Sequence, residues 1–247
     1  MSLKTTEAIT LRTYPYAEAD RIVVFLSRGY GKVRGIARGA RRMKSRFGSS
    51  LEPLSHVRLI FFARENQELA SINSCDLLAS HAGLRESLEG SYYCAYFAEL
   101  LGEFSQEGEG NERLFRLALS VLETQAASLE ARARYLESWL LRLEGVFPPF
   151  SECGRCGHSF EDGAVFIPSG GHEALCRKCA GPRDLRVGPE ERAAFASIFS
   201  RNISRVDWSS WGAATLKNIG RLNSGLIQYH LEKSLKSDRF IRELNQC

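Results

Sequence analysis

Val57-Arg-Leu-Ile-Phe-Phe62 decides the architecture of the N-terminal half: Val57, Leu59 and Phe61 alternate with Arg58 and Ile60 at a period of two. That is the spacing of a strand with one face buried. Working outward, Leu69 to Ile72 follows it, while Lys32 to Ala37, Arg21 to Leu26 and Ala8 to Arg12 precede it, separated by glycine-rich or polar turns. Five short candidate strands before residue 80 suit a small closed barrel, which leaves no exposed sheet edge. The five-stranded Greek-key barrel called the OB-fold fits the count, and so does an SH3-like barrel.

After residue 80 the apolar period changes. Tyr93, Phe97, Leu100 and Phe104 recur at spacings of three and four, as do Leu114, Leu117 and Val121, and then Leu136, Leu140 and Leu143. Three helices are predicted, with Gly108 and Gly110 in the first connection and Pro148 and Pro149 stopping the third. Pro189 followed by Glu190 and Glu191 reads as another helix start, and two more helices are expected near 213–232 and 235–245. The fold class is therefore α+β and multi-domain: an N-terminal five-stranded barrel, then an all-helical domain carrying a cysteine module. The boundaries fall at 1–79 for the barrel, 80–149 for the first helical part, 150–182 for the module and 183–247 for the second helical part.

The formal net charge is only +4, but the cations are not evenly spread. Between Arg21 and Leu51 stand nine basic residues and no Asp or Glu, so the rest of the chain is net acidic. Lys32, Arg34, Arg38, Arg41, Arg42, Lys44 and Arg46 form the densest part, interleaved with glycines and small residues. Like charges so concentrated repel one another, and a polyanion partner is what would compensate them. Phosphate contacts give sequence-independent affinity, and glycines let backbone amides approach a strand closely. Tyr14, Tyr16, Tyr30 and Phe47 flank these cations; each is as suited to the core as to stacking on a base, and at most two are expected to touch bases.

Cys153-Gly-Arg-Cys156 and Cys176-Arg-Lys-Cys179 are two knuckles nineteen residues apart, the spacing of a four-thiolate zinc site. Four thiolates complete a tetrahedron, so one Zn²⁺ is expected in a structural role, with no open position for water. Gly154 and Gly157 would ease the turns, and Phe160, Val165, Phe166 and Ile167 would pack beside them. His158 and His172 are expected in solvent. Of the other three cysteines, Cys75 and Cys94 read as small buried hydrophobes and Cys247 is terminal. Met1 to Leu11 lacks the apolar run of a signal peptide, and no stretch has the length of a membrane span, so a cytoplasmic protein is expected.

Phosphate-loop, serine-elbow and zinc-protease motifs are all missing, so no enzyme is expected. The acidic residues, among them Glu99, Glu103, Glu190 and Glu191, read as solvated helix surface. A nucleic-acid-binding protein is one consequence of these features. The alternative is an RNA-binding factor of translation or ribosome assembly, where barrels and zinc modules also meet. A zinc-dependent hydrolase is a third reading, disfavoured by the closed four-thiolate site.

Ala37-Arg-Gly-Ala-Arg-Arg42 followed by Lys44-Ser-Arg-Phe-Gly48 resembles the segment by which the bacterial RecO family of recombination mediators is recognised. Leu143-Glu-Gly-Val-Phe-Pro148 ahead of the first knuckle, Gly170-Gly171 ahead of the second, and Leu235-Lys-Ser-Asp-Arg-Phe240 near the end are similar to that family in the same order. The resemblance implies an OB-fold, a helical domain with a zinc module, and a part in DNA repair and homologous recombination without catalytic turnover. It also implies binding of single- and double-stranded DNA, annealing of complementary strands, loading of recombinase onto coated DNA together with RecR, and contact with the acidic, aromatic C-terminal tail of single-strand-binding protein. A nucleoid-associated place in the cytoplasm goes with those roles. Arg113, Arg116, Arg132 and Arg134 are the candidates for the tail contact, against a plainer place on the helix surface. Met43 departs from the family pattern, where a proline is expected, which loosens the loop between Arg42 and Lys44.

Overall fold

A computed structural model describes residues 2–63, 68–160, 163–238 and Ile241. Its N-terminal part is a five-stranded closed barrel built from β1 (Ser2–Tyr16), β2 (Asp20–Ser27), β3 (Gly31–Ala37), β4 (His56–Ala63) and β5 (Ala70–Ala79), in the order β1-β2-β3-β5-β4. All neighbours are antiparallel except β3 and β5, which run parallel where they close the sheet. Val23, Phe25, Val33, Val57, Leu59 and Phe61 fill the interior, so the alternation read from the fourth strand does point one set of side chains inward.

Two strands are longer than the apolar pattern predicts. β1 extends well past Ala8 to Arg12 because its two ends have different partners: Ser2–Ile9 pairs with β4 and Ala8–Tyr16 pairs with β2, with a register shift between Thr10 and Arg12. Ladder hydrogen bonds hold the ends of such a strand whatever the side chains are. β5 likewise runs on from Ile72 through Asn73, Ser74 and Asp76, paired along β4.

Helices α1 (Leu88–Glu103), α2 (Glu112–Glu123), α3 (Leu129–Leu143), α4 (Pro189–Ser200) and α5 (Ala213–Leu231) follow, with a short hairpin of β6 (Val165–Ile167) and β7 (Leu185–Val187) between α3 and α4. Ser87 and Ser128 cap α1 and α3 by accepting from Gly90 N–H and Ala131 N–H. Most of the helix predicted at 235–245 lies outside the described residues.

The chain forms two compact units, residues 1–122 with 236–247, and residues 123–235. The contacts therefore divide it elsewhere than the change from strand to helix does: α1 and most of α2 belong with the barrel, as do the residues from Lys236 onward. Glu99 shows why. Expected on solvated surface, it is buried on α1, and its carboxylate accepts from Lys236 N–H at 3.1 Å, from Ser237 N–H at 2.8 Å and from the Ser237 hydroxyl. Burial pushes this carboxyl up, but those donors and the Arg12 guanidinium outweigh it and hold it below the usual carboxylate value.

The second unit is organised around an equally buried group. Arg134 and Glu137 on α3 pair at 2.9 Å, Asn223 of α5 donates to Glu137 at 3.1 Å, and Gly220 leaves room for the guanidinium. A Cβ at 220 would stand 2.2 Å from Arg134 Nη1. Arg132 and Arg134 are thus interior residues, which corrects both readings of them, as a partner-binding surface and as plain helix surface. Glu191 also departs from expectation: it is buried and turns back to accept from Gly188 N–H at 2.9 Å, capping α4.

Candidate nucleic-acid interface and metal centre

β3 carries Val33, Gly35 and Ala37 inward and Lys32, Arg34 and Ile36 outward. Gly35 sits at the closure of the barrel, where an added Cβ would meet Ile72 Cδ1 at 2.4 Å. Beyond Ala37 the loop carrying Arg38, Arg41, Arg42, Lys44 and Arg46 is held at both ends. At one end Gly39, with φ of +71°, donates its N–H to Asp20 at 2.8 Å, and Arg41 N–H bonds Ala19 O at 2.9 Å. Phe47 anchors the other end in the barrel core, under the Arg46 guanidinium. Met43, at the apex, is fully exposed.

Arg34, Arg38, Arg41, Arg42, Lys44 and Arg46 are exposed, and Lys32 is partly so. None of them joins an ion pair among the described residues. Arg28, of the same basic run, differs: it forms a two-pronged contact with Glu112 at 2.6 and 2.7 Å and lies 3.5 Å from Glu7. Its hydrogen bonds hold the Glu112 carboxyl below the usual value. The four flanking aromatics divide as well. Phe47 and Tyr30 pack into the barrel unit, Tyr30 edge-on to Phe61, whereas Tyr14 and Tyr16 are 45% and 43% exposed.

Arg12 is a residue the sequence analysis missed. It pairs across the sheet with Val24, and Val24 with Arg34, so both guanidinium groups belong to one face of β1-β2-β3. Burial works against its charge, but the Tyr14 hydroxyl, Glu99 and Glu103 outweigh it and raise its pKa. Only the real length of β1 exposes this face, and no local apolar pattern marks it.

The four cysteines converge: the sulfurs of Cys153, Cys156, Cys176 and Cys179 all lie within 4.8 Å of one another and can hold a metal ion. Each knuckle is a turn, with Gly157 N–H bonding Cys153 O and Ala180 N–H bonding Cys176 O. Gly157 uses the left-handed region at φ +70°, while Gly154 does not. Burial opposes the Cys153 thiolate, but backbone N–H groups of Cys176, Cys156 and Arg155 aim at it and bring the thiol down to about 6. The neighbouring sulfurs push Cys179 up to about 12. A cation is what would let all four ionise together. Phe160, Val165 and Ile167 are buried beside the site, and His158 and His172 are exposed.

A pocket of about 490 Å³ opens in the same unit, lined by Phe147, Phe150, Phe195 and Phe199 with Arg142 and Arg192 among them. Arg142 lies 4.5 Å over the Phe199 ring, and Arg192 donates to the carbonyls of Gly163 and Phe160. Among the described residues no helix is long and apolar enough to cross a membrane.

Two family models cover nearly the whole chain: "Recombination protein O N terminal" matches residues 1–81 and "Recombination protein O C terminal" matches residues 85–239. The chain belongs to the RecO family. It is 33% identical to the DNA repair protein RecO of Koribacter versatilis over 98% of this chain and all of the relative. The DNA repair protein RecO of Geobacter metallireducens is 32% identical over 99% of both chains, and that of a Nocardioides species is 35% identical over 95% and 97%. The RecO membership makes this a protein of a DNA repair family, in agreement with the resemblance carried by Arg38 to Gly48 and the two knuckles.

Proposed function

We propose that this RecO-family protein is a DNA-binding recombination mediator of the RecF-type pathway. It binds single- and double-stranded DNA through Lys32, Arg34, Arg38, Arg41, Arg42, Lys44 and Arg46 and anneals complementary strands by screening their phosphates. With RecR it helps to load recombinase onto strands coated with single-strand-binding protein. The observation that carries this is the exposed row of cations from Arg34 to Arg46, which lacks a carboxylate partner among the described residues and sits on a loop fixed at both ends. A fixed loop presents its charges without a large ordering cost, and neutralised phosphates release counterions.

The barrel is read as an OB-fold. β1, β2 and β3 run as consecutive antiparallel neighbours, β4 returns beside β1, and β5 closes the gap, which is Greek-key order. OB barrels bind oligonucleotides across the face of strands two and three, where Arg34 lies. The proposed division of labour follows the expected boundaries, with 1–79 binding DNA, 150–182 a zinc module, and 80–149 with 183–247 the helical scaffold.

The metal is read as one structural Zn²⁺. Cys156 Sγ and Cys176 Sγ are 3.7 Å apart. A tetrahedron with zinc–sulfur bonds of about 2.3 Å has edges of about 3.8 Å. Zinc would fix the two knuckles against each other and carry no reaction, in keeping with a protein that has no turnover of its own and works in the cytoplasm beside the nucleoid. For the tail of single-strand-binding protein, the phenylalanine-lined pocket beside Arg142 and Arg192 offers the matching chemistry, an apolar seat beside cations. Buried Arg132 and Arg134 do not.

Annealing of complementary oligonucleotides, bare and coated with single-strand-binding protein, tests the reading. The intact chain should anneal without nucleotide, and a variant with Arg38, Arg41, Arg42 and Lys44 changed to Ala should lose most of the rate. Equal rates for the two, or a preference for RNA in competition with matched DNA, would favour the RNA-binding alternative. Arg142→Ala should weaken capture of the tail peptide by the full chain, and unchanged capture would remove the pocket from consideration.

A further inference from the structure

We propose that Arg12 and Tyr14 are a further part of the nucleic-acid-binding face, and that Lys236 and Ser237, acting through Glu99, hold Arg12 in position; this rests on the DNA-binding role proposed above. The ligand is a single strand, its base on the Tyr14 ring and its phosphates on Arg12 and Arg34.

The sheet itself supplies the arrangement. One cross-strand row reads Arg12, Val24, Arg34, and the next reads Tyr14, Ile22, Ile36. Adjacent strands lie about 4.8 Å apart, so Arg12 and Arg34 stand about 10 Å apart with one valine between them. Beside that pair of cations, an exposed tyrosine shares its cross-strand row with two half-buried isoleucines. An aromatic platform flanked by positive charge is how single strands are held without regard to sequence.

A bland account would make Arg12 only the counter-ion of buried Glu99. The distances argue against that. Glu99 already accepts from two backbone amides and a hydroxyl, at 3.1 Å from Lys236 N–H and 2.8 Å from Ser237 N–H with the Ser237 hydroxyl beside them. Its charge is thus satisfied without Arg12, which stands 3.5 Å away, beyond good hydrogen-bond length. A guanidinium has five donors, and the Arg12 side chain is 38% exposed, so part of it remains open to a phosphate. The Tyr14 hydroxyl and the charge of Glu99 together set the direction of the Arg12 guanidinium. Ser237 in turn fixes Glu99, which gives the Lys-Ser pair near the end of the chain a task at the barrel face.

The test uses the full chain and a fluorescent dT oligonucleotide, with anisotropy titrated against salt well below each variant's melting transition. Arg12→Ala should weaken binding about three- to tenfold and make the salt slope shallower by about 0.7, the loss of one phosphate contact on a single strand. Tyr14→Ala should weaken it about fivefold or more with the slope unchanged. Ser237→Ala should weaken binding about two- to threefold in the parent and not at all in the Arg12→Ala background, because a positioning residue acts only through what it positions. Ser237→Thr should restore the parent value, and Ser237→Cys, which keeps the volume, serves as a second hydroxyl-free variant. If Arg12→Ala binds like the parent while the four-residue loop variant does not, Arg12 is only a counter-ion and the proposal fails alone. An equal Ser237→Ala loss in both backgrounds makes Ser237 merely structural and overturns the positioning half. If the loop variant also binds like the parent, the underlying DNA-binding role fails with it.

Discussion

The basic loop of the barrel unit and the interior of the second unit both contain closely spaced arginines, yet they treat them in opposite ways. Arg38, Arg41 and Arg42 follow one another in a glycine-rich loop and face solvent. Arg132 and Arg134 stand on a helix, where Glu137 one turn on, Asn223 from α5 and the missing side chain at Gly220 draw Arg134 inward. An arginine is therefore available to a partner outside the protein only where the fold has not already supplied one. The sulfurs of the second unit follow the same rule, since four of them face one another and could hold a metal ion.

If that contrast is right, disturbing the second unit should cost stability, and disturbing the loop should cost only binding. The largest effect belongs to the metal. Chelation of the proposed Zn²⁺ should forfeit binding free energy on the order of 10 kcal/mol, the scale seen for structural zinc in finger peptides, and Cys176→Ser, which removes one of four ligands, should forfeit part of it. Hydrogen exchange should then rise across both knuckles and the β6–β7 hairpin, and unchanged protection there would show that the knuckles hold their shape without metal.

Next comes the buried pair. Arg134→Ala leaves Glu137 charged and without its arginine in the interior, and should cost about 3–5 kcal/mol in denaturant unfolding. A cost below about 1 kcal/mol would mean that the pair is effectively solvated. Gly220→Ala pushes a methyl group against the guanidinium and should cost about 1–3 kcal/mol through the same contact.

Glu99 should contribute about 2–3 kcal/mol, measured by Glu99→Gln. Its folded pKa is depressed, so the pH-dependent part of that stability is present above the unfolded carboxylate value of about 4.3 and is lost as pH falls through the folded value. Melting temperature should accordingly fall less steeply between about pH 5 and pH 3 in Glu99→Gln than in the parent. Parallel curves would remove Glu99 as a source of acid sensitivity. The smallest effect on stability is expected from changing Arg38, Arg41, Arg42 and Lys44 together, within about 0.5 kcal/mol as for other exposed sites. The salt slope for single strands should nevertheless become shallower by up to about 2.8, at roughly 0.7 per lost contact. A large stability loss in that variant would break the contrast between the two regions.

Local signals were legible wherever a residue's neighbours in sequence are also its neighbours in space. The period-two run at Val57 to Phe61, the three- and four-residue spacing after residue 80, the two knuckles and the acid-free basic segment are of this kind, and each needs only a short window to be read. Glu99, Arg132, Arg134 and Glu191 were misread as surface because a charged residue at a helical spacing looks solvated until its partner is known. The partners of Glu99 lie more than a hundred residues away at Lys236 and Ser237, and Asn223 joins the Arg134–Glu137 pair from another helix. Arg12 was missed because its face exists only once β1 pairs along its full length with β2 and β2 with β3. By itself, then, the sequence determined the kinds of element, the ligand set for a metal and the place where positive charge accumulates, because period, spacing and charge are local properties. Which of the charges remain exposed was decided only by the tertiary structure, because a buried charge must be satisfied and some of the groups that satisfy it come from distant parts of the chain.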